Sequence, residues 1–356
     1  MIVGTGADMA ITTLDLANPE QASAADAFVR AHPDGTPFHL TAWLRAIHRA
    51  TGHKPLLLAA VAPSGRISGL LPLHHLQSRL FGSAMISTAF AVDGGILVDD
   101  PRAAAALATA AQQVARERGG VPVELRGGAA PGEGWERRDG EHLGFVRPIA
   151  PDDDAELLAI PRKHRAELRK ALSNPALAVK VGRDADFQGA HYRIYAESVR
   201  NLGTPVFPRA LFRSVLDAFG NDADILLVLD GDRPVSAVLN LYHAGRVMPY
   251  WGGGLAVARQ LRSNELMYYR LMAHGRTRGM SHFDFGRSKV GSGQAAWKKS
   301  FGFEPRALGY YRWSPDGAVR EISPNNPKYQ RRIDLWKKLP LPIANLIGPP
   351  IARGLG

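Results

Sequence analysis

Residues 42–75, AWLRAIHRATGHKPLLLAAVAPSGRISGLLPLHH, lie without a gap over residues 210–243, ALFRSVLDAFGNDADILLVLDGDRPVSAVLNLYH. Trp43, Leu44 and Ile47 fall on Leu211, Phe212 and Val215, and Gly52 falls on Gly220. Ser68, Leu71, Leu73 and His75 fall on Ser236, Leu239, Leu241 and His243. In each copy, apolar residues at i, i+1 and i+4 ahead of a glycine predict a helix with a glycine cap. PSGR or DGDR then predicts a tight turn between two strands. Self-similarity at this length marks a duplicated unit. Further along, RERGGVPVELRG (116–127) resembles RTRGMSHFDFGR (276–287), which sets Glu124 on Asp284, and LGFVRP (143–148) matches FGFEPR (301–306). The expected organisation is one α/β domain over 1–150, a basic helical linker over 151–174, a second domain over 175–322 and a Pro-rich apolar tail over 323–356.

At 356 residues the chain exceeds what one hydrophobic core usually serves, which agrees with two domains. A composition 45% hydrophobic and 22% charged is that of a globular chain, not a disordered or membrane-spanning one. There is no cysteine, so disulfides, thiolate nucleophiles and cysteine-ligated metals are excluded. The histidines lack metal-ligand spacing, and no metal is expected. Neither a Ser-His-Asp order nor a P-loop occurs. The opening MIVGTGADMAITTLDL lacks the basic and apolar regions of a signal peptide, so the expected location is cytoplasmic; a monomer is expected. A net charge of +11 favours an anionic partner such as RNA, a nucleotide-linked substrate or an acidic membrane surface, although general surface basicity gives the same number.

Each copy reads helix, antiparallel meander, long helix, strand, short helix, Gly-Phe strand. That order resembles the GNAT N-acyltransferase fold. The expected class is therefore α/β (α+β), with two GNAT-like domains in tandem, each a mixed, mostly antiparallel sheet flanked by helices. IPRKHRAELRKAL (160–172), AESVRNLGTPVFP (196–208), PYWGGG (249–254), SNELMYYRLM (263–272) and FDFGRSKVGSG…WKKSFGFEP (283–305) follow in order. Together they are similar to the FemAB family, and in particular to its PEP-CTERM/exosortase-associated branch, over nearly the whole chain. The resemblance implies tandem GNAT-like domains that transfer an aminoacyl group from aminoacyl-tRNA to an amine on a cell-envelope or exopolysaccharide precursor. An acyl-CoA or acyl-carrier-protein donor is the alternative within the same chemistry. A non-catalytic pair that binds RNA or an envelope partner is the alternative outside it.

Acyl transfer to an amine needs a group that takes the amine proton, donors for the oxyanion and a proton for the leaving group. In SHFDFG, alternation puts Phe283 and Phe285 on the core face and Asp284 on the other. Asp284 is the candidate base, with Arg287 setting its charge or gripping an anion; an Asp284–Arg287 structural pair is the plain alternative. Tyr268 is a candidate proton donor or a packing residue. Neutral donors Asn201, Thr204, Tyr250 and Ser288 and the bare backbone of Gly252 and Gly253 are candidates for holding substrate. Asn264 is expected to cap the following helix or touch ligand, and Lys298 and Lys299 to bind phosphate or acid or to form a solvated face.

Acyl-CoA enzymes of the GNAT type present glycines at the helix start that meets the CoA pyrophosphate. The corresponding run here is RQLRSN (259–264), with Arg262 and Asn264 in the glycine positions, which argues against CoA. On the linker helix, Arg162, Arg165 and Arg169, with Lys163 beside them, present a cationic face suited to tRNA or another phosphate ligand, or form a solvated helix face. The tail DLWKKLPLPIANLIGPPIARGLG (334–356) is too short and Pro-rich to span a bilayer. It suits an interfacial membrane contact or packing onto the protein.

Overall fold

The computed structural model describes residues 3–4, 9–317 and 333–356, so residues 323–332 of the expected tail lie outside the described residues. The described chain forms two compact units. Unit 1 takes the residues up to Gly140, those from Leu308 to 317, and Arg353–Gly356; unit 2 takes Glu141–Ala307 and residues 333 to Ala352.

The repeat builds the same framework in both. In unit 1, α1 (Pro19–Ala31) precedes α2 (Thr41–Thr51), which buries Trp43, Leu44 and Ile47 and ends at Gly52 with φ 75°. Strands β1 (Val3–Gly4) and β2 (Ala10–Leu14), ahead of these helices, and β3 (Lys54–Val61), β4 (Ile67–Ser78) and β5 (Gly82–Ser87), after them, form an antiparallel run, with β6 (Leu97–Val98) on β4. After α3 (Pro101–Glu117), β7 (Val123–Arg126) joins β5 in parallel, and β14 (Pro305–Trp313) closes its other edge through Tyr310–Trp313.

In unit 2, β8 (Glu136–Pro148), α4 (Asp153–Ala159) and α5 (Arg162–Leu172) lead into β9 (Leu177–Gly182), α6 (Ala185–Leu202) and α7 (Arg209–Phe219). α7 buries Leu211, Phe212 and Val215, the counterparts of the α2 residues. Strands β9, β10 (Ala223–Asp230), β11 (Arg233–His243) and β12 (Arg246–Gly254) run antiparallel. The hairpin irregularity falls at Ala60/Val61 in unit 1 and Val228/Leu229 in unit 2, positions the repeat sets on each other. Helices α8 (Ala258–Leu261) and α9 (Ser263–Thr277) carry the chain to β13 (His282–Lys289), which pairs in parallel with β12 and antiparallel with β8. α10 (Gly293–Ser300) then packs Trp297 against the core of Phe283, Phe285, Phe301 and Phe303. Each phenylalanine removed from water contributes on the order of 1.5–3 kcal/mol.

The closing strands are exchanged between the copies: β8 follows the first copy yet closes β13, and β14 follows the second yet closes β7. The sequence match of 143–148 to 301–306 does not survive this. Residues 143–148 are strand opposite β13, whereas 301–304 are turn and coil ahead of β14, because a shared Gly-Phe spacing carries no information about pairing partner.

Candidate active site

In unit 2, β12 and β13 pair only at Arg246↔His282 and Val247↔Phe283. Both strands continue, β12 to Gly254 and β13 to Lys289, so they part from that point. In unit 1 the corresponding parallel pair runs to Ser87, the last residue of β5. The open wedge in a central sheet is thus a feature of unit 2.

On the β12 side, Leu239 pairs with Trp251 and Asn240 with Pro249, leaving Tyr250 as the extra residue of a bulge. A bulge frees strand amides from the ladder and re-aims them. His191 of α6 holds this bend: its Nε2 lies 2.7 Å from the Trp251 carbonyl oxygen. Burial lowers the His191 pKa to about 4 against the opposing effect of that hydrogen bond, so the neutral ring donates Nε2–H. Sequence reasoning missed His191, since nothing local links it to a strand far along the chain. Aromatic rings of Tyr250 and Phe212 pack on Trp251 at 4.7 and 5.1 Å.

On the β13 side, Asp284 is the first residue past the last β12 pair, opposite Val146 of β8. It is buried, and its carboxylate accepts a hydrogen bond of 2.8 Å from the Gly286 amide. Gly286 has φ 62°, in the left-handed region that the Asp284–Arg287 bulge requires. Burial pushes the Asp284 pKa up, opposed by the Gly286 bond and the charges of Arg246, Arg306 and Lys298. Lys298 of α10 donates to the carbonyls of Phe285 at 2.7 Å and Arg287 at 3.0 Å. Burial lowers its pKa to about 8, with the Asp284 carboxylate pulling the other way. An acid pushed up and an ammonium pushed down therefore sit in one field, the arrangement in which protons move readily near neutral pH.

Glu124, the unit 1 counterpart of Asp284, behaves oppositely. It is clasped by Arg126 at 2.9 Å and Arg312 at 3.0 Å. Burial raises its pKa, but the two arginines outweigh it and hold the carboxyl at about 2. A carboxylate so paired is a structural anchor, not a proton acceptor.

Some expected residues stand elsewhere. Tyr268 packs its ring on Phe285 at 4.9 Å and Trp297 at 5.2 Å. This is the core face of β13, the face away from Asp284, so the structure does not bring Tyr268 to Asp284; burial raises its pKa to about 12. Asn264 does not cap α9: the helix begins one residue earlier, at Ser263, behind Arg262 with φ 55°. The Asn264 side chain instead accepts from Ser236 Oγ at 2.8 Å, and Ser236 also meets Ser263 Oγ at 2.7 Å. Gly252 and Gly253 lie in the strand, not in a turn. A Cβ on Gly253 would stand 2.5 Å from Ser198 of α6, and one on Gly252 2.9 Å from Val238.

Lys298 is tied to backbone carbonyls where the sequence predicted an anion-binding or solvated lysine, because the β13 bulge turns two carbonyls toward it; Lys299 is exposed. Asn201 and Thr204 are exposed at the end of α6. Ser288 is 3% exposed, and its hydroxyl has no hydrogen-bond partner among the described residues. The side chain of Arg287 is half-buried. Arg162, Lys163 and Arg169 face solvent on α5, with Arg165 half-buried beside them. Arg262 is bound to Glu167 of α5 at 2.5 Å. Among the described residues no cluster of His, Cys, Asp or Glu has the form of a metal site.

Residues 161–299, which hold this wedge, match the family model described as acetyltransferase (GNAT) domain. That stretch of the chain is thus similar to a GNAT domain. Its fold is similar to that of FemX, with 17% identity over 90% of this chain and 99% of that one and a TM-score of 0.66. A tandem GNAT protein from the clavulanic acid biosynthesis pathway aligns at 11% identity over 88% and 100%, with a TM-score of 0.55. The C-terminal domain of a putative lysylphosphatidylglycerol synthetase from Agrobacterium fabrum aligns at 13% identity over 84% and 92%, again at 0.55. No curated protein sequence matches the chain. The predicted fold, a mostly antiparallel mixed sheet flanked by helices with tandem-GNAT relatives, is borne out.

Proposed function

We propose that the chain is an N-acyltransferase that moves an aminoacyl group from aminoacyl-tRNA to an amine on a cell-envelope or exopolysaccharide precursor, in the wedge of unit 2. The observation that carries this reading is the position of Asp284: buried, raised in pKa and next to the last β12–β13 pair. The acceptor amine gives its proton to the Asp284 carboxylate as its nitrogen attacks the acyl carbonyl, and amides freed at the Tyr250 bulge meet the oxyanion; collapse of the tetrahedral intermediate then breaks the ester bond to the tRNA ribose oxygen, which takes that proton back from Asp284. Arg287 and the unpartnered Ser288 hydroxyl are the neighbouring groups for orienting substrate.

Two features favour an RNA-linked donor over CoA. At the start of α9, Arg262 occupies a left-handed position with its side chain bound to Glu167, which puts a carboxylate where a pyrophosphate would approach bare glycine amides. The α5 cations Arg162, Lys163 and Arg169 face solvent, with Arg165 half-buried beside them, on the helix that carries Glu167, and they suit a phosphate backbone. The resemblance to the PEP-CTERM/exosortase-associated branch supports the envelope acceptor. The acetyltransferase description of the matching family favours acyl-CoA as the second reading.

Replacing Asp284 with Asn tests the mechanism. With labelled aminoacyl-tRNA as donor and an amine-bearing precursor as acceptor, transfer falls by about 10²–10⁴-fold while thermal stability is kept or raised, because no charge remains to be buried. Unchanged transfer would remove Asp284 from the chemistry.

A further inference from the structure

Helix α11 (Leu341–Arg353) is packed inside out. It buries its small residues Ala344, Gly348 and Ala352, with Gly348 seated against Val206, and turns its large ones to solvent. Leu346 is 76% exposed, Ile343 46% and Ile347 39%. These three lie at i, i+3 and i+4, so they form one stripe. Residues 341–352 contain no charged side chain. The exposed face of an ordinary surface helix is polar, so this one has a partner that is apolar.

The surroundings supply charge of one dominant sign. Leu335 and Leu202 are also exposed, and the helical turn of residues 333–337 rests on the Leu202–Gly203 corner, where a Gly203 Cβ would meet Ile333 and Lys337. Lys337 at its end and Lys338 just after it are exposed; Lys337 is 3.7 Å from Asp334, and Lys338 has no partner among the described residues. On the side of α11 that carries Asn345 lies an open cavity of about 650 Å³ lined by Tyr192, Arg193 and Arg209, with Asp186 as the one acid. Arg209 stacks over the Tyr192 ring at 4.9 Å, and the Asn345 side-chain oxygen is buried without a partner.

We infer that this face docks on an anionic phospholipid surface: Ile343, Leu346 and Ile347 enter the acyl boundary, while Lys337, Lys338, Arg193 and Arg209 meet lipid phosphates. An apolar stripe flanked by cations is the combination that holds a helix in the plane of a membrane, and neither part alone gives lasting attachment. No helix among the described residues is long and apolar enough to cross a membrane, and α11 is a surface contact. Docking here does not depend on the identity of the acyl donor.

Sedimentation of the full chain with vesicles tests the inference. With phosphatidylglycerol mixed into phosphatidylcholine the protein pellets with the vesicles, and with pure phosphatidylcholine it stays in solution. Leu346→Asp with Ile347→Asp weakens the binding about tenfold or more, and Lys337→Glu with Lys338→Glu weakens it severalfold and makes its salt dependence shallower. All four side chains are exposed, so circular dichroism and melting are unchanged. Failure of the wild-type chain to bind anionic vesicles would overturn the inference, as would binding that both double variants retain. So would a wild-type dimer in analytical ultracentrifugation that Leu346→Asp dissolves without any vesicle binding, since the face would then belong to a second copy of the chain.

Discussion

Asp284 and Glu124 occupy equivalent places in the two copies, and their surroundings give them opposite chemistry. Two arginines keep Glu124 ionised, whereas burial raises the Asp284 pKa against the Gly286 hydrogen bond and the charges of Arg246, Arg306 and Lys298. Lys298 completes the contrast and gives a test. Its pKa is about 8 in the fold against 10.5 when free, so between those values the folded chain binds fewer protons than the unfolded one. Stability from this group therefore rises as pH climbs from about 8 to 10.5, by a linkage approaching one proton. Lys298→Met should flatten the rise, read as melting temperature against pH for both proteins; a rise that persists in the variant would assign it to another group. Asp284 was legible in the sequence because strand alternation alone sets it opposite two core phenylalanines. Lys298 was misread because its partners are carbonyls turned by a bulge, and His191 was missed because its only signal is a fold-dependent contact with Trp251.

Among the elements, the β12 segment YWGGG decides how closely α6 approaches the sheet. The glycines read in sequence as bare backbone for holding substrate, and they are strand residues beside the Tyr250 bulge that admit a helix. An added methyl on Gly253 would overlap Ser198 at 2.5 Å. Gly253→Ala should cost about 1–3 kcal/mol and disturb the bulge that His191 fixes, and Ser198→Gly in the same chain should restore most of the loss. Equal destabilisation in the single and double variants, read by denaturant unfolding, would show that the helix does not rest on this glycine. The helix–strand–turn–strand repeat was visible because its apolar spacing and turn residues are local. The exchange of β8 and β14 was hidden, since pairing partners depend on the sheet as a whole.

For the molecule as a whole, duplication produced two similar frameworks, and only one has the open wedge. In unit 1 the parallel pair runs to the end of β5; in unit 2 it ends at Val247 and Phe283. The charge of +11 read as affinity for an anion or as general surface basicity, and the structure shows that some of the basic side chains are locked in pairs, the arginines on Glu124 and Arg262 on Glu167, while others on α5 are exposed. Composition alone could not have separated these, because a formal charge count ignores pairing. The central claim is N-acyl transfer from an RNA-linked donor, and titration calorimetry tests it most directly, with coenzyme A and aminoacyl-tRNA added to the same protein. The expected result is no heat with coenzyme A and tight aminoacyl-tRNA binding that weakens steeply with salt and in the Arg162→Glu, Arg169→Glu variant. Tight coenzyme A binding with none to aminoacyl-tRNA would contradict the account and make the wedge an acyl-CoA site.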